Sequence, residues 1–336
     1  MANRPALVEP NMPNALNARS LAFAALACLS VAAAHAQPYP ARPITIVVPF
    51  PAGGAPDILG RMLGPRVSEV LKQPFLVDNK AGATGAIGLA AVARAPADGY
   101  TLVIATASSL GTNPAVSKVP FDPVRDFTPI AMLAAEPMGL AIHPSVPANT
   151  VQELIAYAKA HPGALNMASF GTGSVSHLSG ELFSAMAGIR MVHVPYKGAA
   201  PATADLIAGQ VSLMFNSISV FVAPAKAGKL RMLASAGSTR AATLPDLPTI
   251  AESGLPGFEA STWHALLGPA HLPPEIVAVL SREFGRALRL RDTQEKLAAM
   301  SLEPQSATPE QLATTLQRDV AKWKKIVAEA GIKLEQ

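Results

Sequence analysis

Short apolar runs alternate with helical patterns along most of this 336-residue chain. The run at residues 44–50 (ITIVVPF) precedes a helical pattern over 57–72, and the same succession recurs downstream. Such alternation predicts parallel sheets covered by helices on both faces, an α/β fold. We expect further strands over 75–80, 101–106, 165–170, 190–196, 211–216 and 230–236, and further helices near 85–94, 150–160, 176–187 and 199–208.

Two long extended segments, 127–144 and 258–274, resemble each other and interrupt the alternation. Each consists mostly of small and apolar residues and ends at a proline, which is typical of strands that cross between two lobes. We therefore expect one lobe from residues 37–137 plus 260–336, on which both terminal helices pack, and a second lobe from 138–259. The alternative is one larger sheet.

The N-terminus has the pattern of a secretory signal peptide. Arg19 precedes a 14-residue apolar run over 21–34, and Ala34-His35-Ala36 provides a cleavage site, so we expect residues 1–36 to be removed. The run is too short to span a bilayer. Cys28, the single cysteine, lies within it. We expect an exported, periplasmic protein without thiol chemistry, disulfides or a metal, and the net charge of +4 without a basic cluster argues against nucleic-acid binding.

Two glycine-containing loops join a predicted strand to a predicted helix, PFPAGGAPD at 49–57 and FGTGSVSH at 170–177. Ligands of open α/β sheets bind beyond the carboxyl ends of the strands, where helix N-termini attract anions. One loop from each lobe would then face the other across a cleft. The candidate ligand-binding residues in them are Phe50, Ala52, Gly53, Gly54 and Asp57, and Phe170, Gly171, Thr172, Gly173, Ser174 and His177.

Polar residues also follow three other predicted strands: Thr106 and Ser108, Tyr196 and Lys197, and Asn216 and Ser217. Tyr196 could close over an organic acid and Lys197 could add positive charge, or serve as a solvated loop residue. Asp57 is expected to brace its loop rather than to act in chemistry.

Nucleotide and catalytic functions fit the loops poorly. Neither loop has the lysine of a P-loop, and GTGSVS lacks the third glycine of a dinucleotide fingerprint. Ser174 and His177 leave open an exported hydrolase or isomerase, although no G-x-S-x-G motif occurs. An effector-sensing domain of a transcription regulator is a further alternative. Backbone amides and hydroxyls instead suit reversible carboxylate capture without a cofactor.

Together, PFPAGGAPD, ASFGTGSVSHLSGELF, VPYKG and LPDLPTIAESGLPGFE resemble the Bug proteins, the TctC-like receptors of tripartite tricarboxylate transporters, from about residue 39 to the C-terminus. The resemblance implies a two-lobed type II periplasmic binding protein fold that closes on a ligand. It also implies a small organic acid, a mono- or dicarboxylate, as ligand, and membrane permease subunits or a sensor kinase as partners of a monomeric receptor. Aspartate is common in the family where Asn216 stands, and the uncharged amide adds an aromatic acid to the candidate ligands.

Overall fold

The computed structural model describes residues 39–305 and 307–329. The predicted signal peptide, residues 1–36, lies outside the described residues. From Arg42 onward the chain forms one compact unit that contains two sheets. Among the described residues, no helix is long and apolar enough to span a membrane.

The first sheet has the strand order β11-β4-β10-β3-β1-β2. Strands β1, β2 and β3 run parallel to one another, while β10 runs antiparallel to both β3 and β4. The strands are β1 (Ile44–Val48), β2 (Phe75–Asn79), β3 (Thr101–Thr106), β4 (Phe127–Glu136), β10 (Thr262–Pro269) and β11 (Glu303–Pro304). The helices of this lobe are α1 (Ala55–Leu71), α2 (Ala86–Ala93), α3 (Asn113–Val116), α8 (Pro274–Leu288), α9 (Arg291–Ala299) and α10 (Pro309–Glu329), with a π-helical turn over Ser108–Thr112.

The second sheet has the order β7-β6-β8-β5-β9, with β6 parallel to β7 and β8, and β5 antiparallel to β8 and β9. Its strands are β5 (Met138–Ile142), β6 (Asn166–Ser169), β7 (Val192–Pro195), β8 (Leu213–Ser217) and β9 (Arg231–Ser235). Its helices are α4 (Val151–Ala160), α5 (Val175–Ala187), α6 (Ala199–Ile207) and α7 (Ile218–Lys226). The predicted two-lobed α/β fold is therefore confirmed.

Two chain segments connect the lobes, as the paired extended segments predict. Pro137 alone separates β4 of the first sheet from β5 of the second. On the return path, the N–H of Ala260 donates to the carbonyl of Ala236 at 2.7 Å, and Thr262 pairs with Glu136 two residues later. Both connections therefore lie side by side, at the base of the space between the lobes.

Helix α10 packs against both lobes and not against the first lobe alone. Leu312, Leu316 and Val320 are buried in the first-lobe core, whereas Trp323 belongs to the buried cluster that contains Met138 of the second sheet. The apolar face of α10 is thus buried along its length, but its last turns link the two lobes.

Candidate functional site

The first glycine loop follows β1 and leads into α1. Gly53 has a φ of +89°, a conformation that favours glycine, and Gly54 is the N-cap residue without a side-chain cap. The 17-residue helix α1 therefore begins without a side-chain cap, which leaves N–H groups of its first turn available to a ligand.

Asp57 holds this loop in place, as its position in the first helical turn predicts. Its carboxylate accepts hydrogen bonds from the Gly53 N–H at 2.9 Å, the Asn79 amide at 3.0 Å and Nε of Arg61 at 3.0 and 3.1 Å. The Asn79 amide also donates to the Phe50 carbonyl at 3.1 Å. Burial opposes the charge of Asp57, but the hydrogen bonds from Arg61, Gly53 and Asn79 outweigh it and lower its pKa.

The second glycine loop follows β6 and leads into α5. Gly171 and Gly173 have φ values of +132° and +75°. Ser174 is the N-cap of the 13-residue helix α5: its Oγ accepts from the His177 N–H at 3.3 Å and donates to the Gly171 carbonyl at 2.6 Å. Nδ1 of His177 accepts from the Gly173 N–H at 3.1 Å. Both side chains therefore shape the loop.

His177 also belongs to a polar cluster behind the loop. Its Nε2 lies 3.4 Å from Oε1 of Glu181, and its ring stacks on that of His193 with the centroids 3.7 Å apart. Nε2 of His193 lies 2.7 Å from Oγ of Ser169. Burial, reinforced by the neighbouring His177, lowers the pKa of His193 to about 4, so His193 is neutral at pH 7.

A cavity of about 480 Å³ lies between the two loops. Eight of the residues predicted from the sequence line it: Phe50, Ala52, Gly54, Thr106, Ser108, Phe170, Asn216 and Ser217. The first residues of α1 and α5, Ala55 and Val175, line it as well, so two helix N-termini from opposite lobes border one space.

The other predicted residues do not line this cavity. Gly53, Asp57, Gly171, Thr172, Gly173, Ser174 and His177 lie in the loops around it. The hydroxyl of Tyr196 donates to Asp205 at 2.7 Å, and burial together with this bond raises the pKa of Tyr196 to about 12. Lys197 is exposed.

The side-chain amide of Asn216 forms its hydrogen bonds within the second lobe. Its Oδ1 accepts from the Ser217 N–H at 2.8 Å, and its Nδ2 donates to Oγ1 of Thr203 at 3.4 Å. The amide is 5% exposed, so it forms an uncharged polar patch in the cavity wall.

Sequence reasoning missed the residues that the two connections bring to the base of the cavity. These are Glu136 and Met138 on one connection and Thr262 and His264 on the other. Pro51 and Pro56 of the first loop were also missed. Only the antiparallel pairing of β10 with β3 and β4 places His264 opposite Thr106, and that register has no local sequence signal.

Among the residues that the structure describes, Glu136 is the one acidic residue that lines the cavity, and no lysine or arginine does. Residues 39–305 and 307–329 contain no group of three potential metal ligands. The cavity can therefore hold an anion through backbone N–H groups and hydroxyls rather than through a salt bridge.

Known proteins with this architecture bind solutes. Residues 59–332 match the family described as the tripartite tricarboxylate transporter family receptor. Protein BugT of Bordetella pertussis is 36% identical over 303 residues, 89% of this chain and 93% of BugT. The structure of R. palustris Rpa4515 with adipate is 38% identical, covers 88% of this chain and 99% of Rpa4515, and aligns with a TM-score of 0.71. A TctC solute-binding protein from Polaromonas without ligand is 31% identical, covers 87% and 99% of the two chains, and gives a TM-score of 0.80.

Proposed function

Because the chain belongs to the tripartite tricarboxylate transporter receptor family, a family of solute-binding receptors and not of enzymes, we propose that it captures a small organic acid in the cavity between its lobes. The observation that carries the proposal is the convergence of the N-termini of α1 and α5 on this cavity. Each terminus offers unpaired N–H groups and the positive end of a helix dipole, and both favour a carboxylate.

The two helix N-termini at the cavity form a carboxylate clamp, and this clamp suits a ligand that must be released again. A buried arginine would bind a carboxylate in a bidentate manner and at high strength. Here the polar groups of the cavity wall are hydroxyls and amides, including Thr106, Ser108 and Ser217. The apolar side chains of Phe50 and Phe170 cover the remainder of the wall and suit the hydrocarbon part of an organic acid.

We propose that ligand binding closes the lobes, taken as residues 37–137 plus 260–336 and residues 138–259. Contacts to both loops at once would stabilise the closed state by differential affinity.

The proposed setting is the periplasm of a bacterium. The segment at residues 1–36 would direct export, and the mature monomeric protein would deliver its acid to membrane permease subunits or report it to a sensor kinase. The family match supports the first partner, since its members are receptors of a transporter. No cofactor takes part in this role.

The hydrolase or isomerase alternative does not fit the geometry. A serine nucleophile requires its Oγ to contact a basic nitrogen. Oγ of Ser174 instead contacts the backbone N–H of His177 and the Gly171 carbonyl. Nδ1 of His177 accepts a hydrogen bond from the Gly173 N–H.

Calorimetric titration of the purified protein with mono- and dicarboxylates tests the proposal, and native mass spectrometry of the protein as isolated would reveal a co-purified acid. Ala55→Asp and Ala55→Asn form a matched pair, since they add similar volume at the start of α1 but differ in charge. We expect the aspartate variant to bind the acid at least about tenfold more weakly than the asparagine variant. Equal affinities, or no binding of any acid to the wild type, would contradict the clamp.

A further inference from the structure

The base of the cavity contains a carboxylate without a cationic partner. Glu136 ends β4, its side chain is 30% exposed, and it borders the cavity. Among the described residues, its ion-pair partner within 4.0 Å is His264 alone, with 3.9 Å between Oε2 and Nε2. Burial lowers the pKa of His264 to about 4, so the imidazole is neutral at pH 7 and leaves the charge of Glu136 uncompensated.

His264 is itself unpartnered. It lies in the middle of the first sheet and is 4% exposed, and neither ring nitrogen has a hydrogen-bond partner among the described residues. A buried polar group without a partner is costly and is rare in folded proteins. The pairing shifts register immediately after His264, and such bulges often re-aim side chains beside binding sites.

The alternation of β10 places these groups on the cavity side. Thr262 and His264 point to the same face of the strand and line the cavity, whereas Trp263 between them points away and donates to Asp319 of α10 at 2.8 Å. Thr262 pairs with Glu136 and His264 pairs with Thr106. The strand ladder therefore fixes the polar base of the cavity, and the glycine loops form its sides.

We propose that Glu136 and His264 form a second subsite that receives a hydrogen-bond donor, an ammonium or hydroxyl group, at the end of the ligand opposite to its carboxylate. This inference rests on the proposed function, because the helix N-termini must hold the carboxylate. Glu136 contacts the donor as an acceptor. His264 is a positioning residue: a movement of less than 1 Å would bring its Nε2–H into hydrogen-bond range of Glu136 and orient the carboxylate.

The subsite discriminates against dicarboxylates. A second carboxylate at this end would approach Glu136, and no lysine or arginine of the described lining would offset the repulsion between the two negative charges. An unsubstituted monocarboxylate would leave Glu136 desolvated without a new partner. An amino or hydroxy acid meets both requirements, so the predicted ligand class is a monocarboxylate with a distal donor.

Matched acids of one chain length test this subsite by calorimetry. The set is hexanoate, 6-hydroxyhexanoate, 6-aminohexanoate and adipate, with the corresponding four-carbon set as a second length. In the set that binds, we expect the amino or hydroxy acid to bind at least about tenfold more tightly than the dicarboxylate and the unsubstituted acid. Equal or tighter binding of the dicarboxylate overturns the subsite and leaves the carboxylate clamp intact. No binding of any acid in either set overturns the proposed function itself.

Substitutions test whether Glu136 causes the preference for an amino or hydroxy acid over a dicarboxylate. Glu136→Gln removes the charge and should reduce the advantage of the amino acid over the dicarboxylate by about tenfold or more. Glu181→Gln is the matched control, because Glu181 also faces a histidine, His177, but does not line the cavity. An unchanged affinity ratio in Glu136→Gln would refute the assignment.

The positioning role of His264 has its own readout. His264→Gln retains a donor near the place of Nε2 and should retain the affinity ratio, whereas His264→Leu should reduce it without loss of thermal stability. If glutamine and leucine give the same ratio as the wild type, His264 does not position Glu136.

Discussion

The bracing of the first loop by Asp57 gives the prediction with the clearest magnitude. The Asp57 side chain is 4% exposed, and each of its oxygens has a separate task. Oδ2 accepts from the Gly53 N–H and Oδ1 from the Asn79 amide, while Nε of Arg61 contacts both. Asp57→Asn replaces one oxygen by an NH₂ group, so one of the two buried donors must face another donor.

The expected cost follows from these contacts. A hydrogen bond to a charged group contributes about 1.5–3 kcal/mol, and an unsatisfied buried donor adds a penalty of similar size. The Arg61 side chain is 54% exposed, so its ion pair contributes little. We expect Asp57→Asn to lower the free energy of unfolding by about 2–4 kcal/mol at pH 7 and to weaken acid binding by loosening the Gly53 turn.

Urea unfolding of the wild type and the variant measures this difference, and its pH dependence gives an independent check. Because the pKa of Asp57 is lowered on folding, the stabilisation is present above the pKa of an unfolded aspartate and is lost as the pH falls through the folded value. The difference between the two proteins should therefore shrink in acid.

Glu295→Gln provides the control. Glu295 also forms an i, i+4 pair with an arginine, Arg291, at 2.8 Å, but the two side chains are 63% and 93% exposed. We expect this change to cost less than about 0.5 kcal/mol. A loss below about 1 kcal/mol in Asp57→Asn, or a difference that does not vary with pH, would show that Asp57 does not brace the loop.

Three other substitutions have defined outcomes. His264→Leu removes two buried unpartnered nitrogens and should raise the unfolding free energy by about 1–3 kcal/mol in urea titrations; a loss would mean that the imidazole is satisfied. Gly173→Ala should lower the free energy of unfolding by about 1–3 kcal/mol more than Gly188→Ala. Both glycines have a positive φ, but only at Gly173 does the added Cβ clash, 2.5 Å from a valine methyl; equal losses in urea titrations would contradict this. Tyr196→Phe should cost about 1 kcal/mol and remove the phenol that ionises near pH 12, as ultraviolet titration would show; a tyrosine count unchanged at that pH would contradict the hydrogen bond to Asp205.

Local sequence patterns predict the parts of this fold that depend on local chemistry. The glycine loops at 49–57 and 170–177, which lead into α1 and α5, are predictable from sequence. Each depends on positive-φ glycines and an N-cap residue that lie within a few residues of one another. Capping bonds form over the same short range: Oγ1 of Thr150 accepts from the Glu153 N–H, while at Thr308 the Gln311 N–H donates to Oγ1 and the Thr308 N–H donates to the Gln311 side chain.

Residues that meet through sheet register lie beyond such reasoning. Glu136 and His264 are far apart in sequence, and each reads as an ordinary strand residue. Their proximity depends on the pairing of β4 with β10, and a shift of one residue would turn His264 to the opposite face. The place of Tyr196 after a strand predicts a position in the cleft. In the structure its hydroxyl donates to Asp205 of α6, a contact that has no local sequence signal.

We infer that one carboxylate bridges the two lobes. A crystal structure of the protein with an acid that binds in calorimetry would show whether it does. We expect a carboxylate in contact with the N–H groups at the start of both α1 and α5, with the remainder of the ligand directed toward Glu136 and His264. An acid bound at one lobe only, or outside the cavity lined by Phe50 and Phe170, would contradict it.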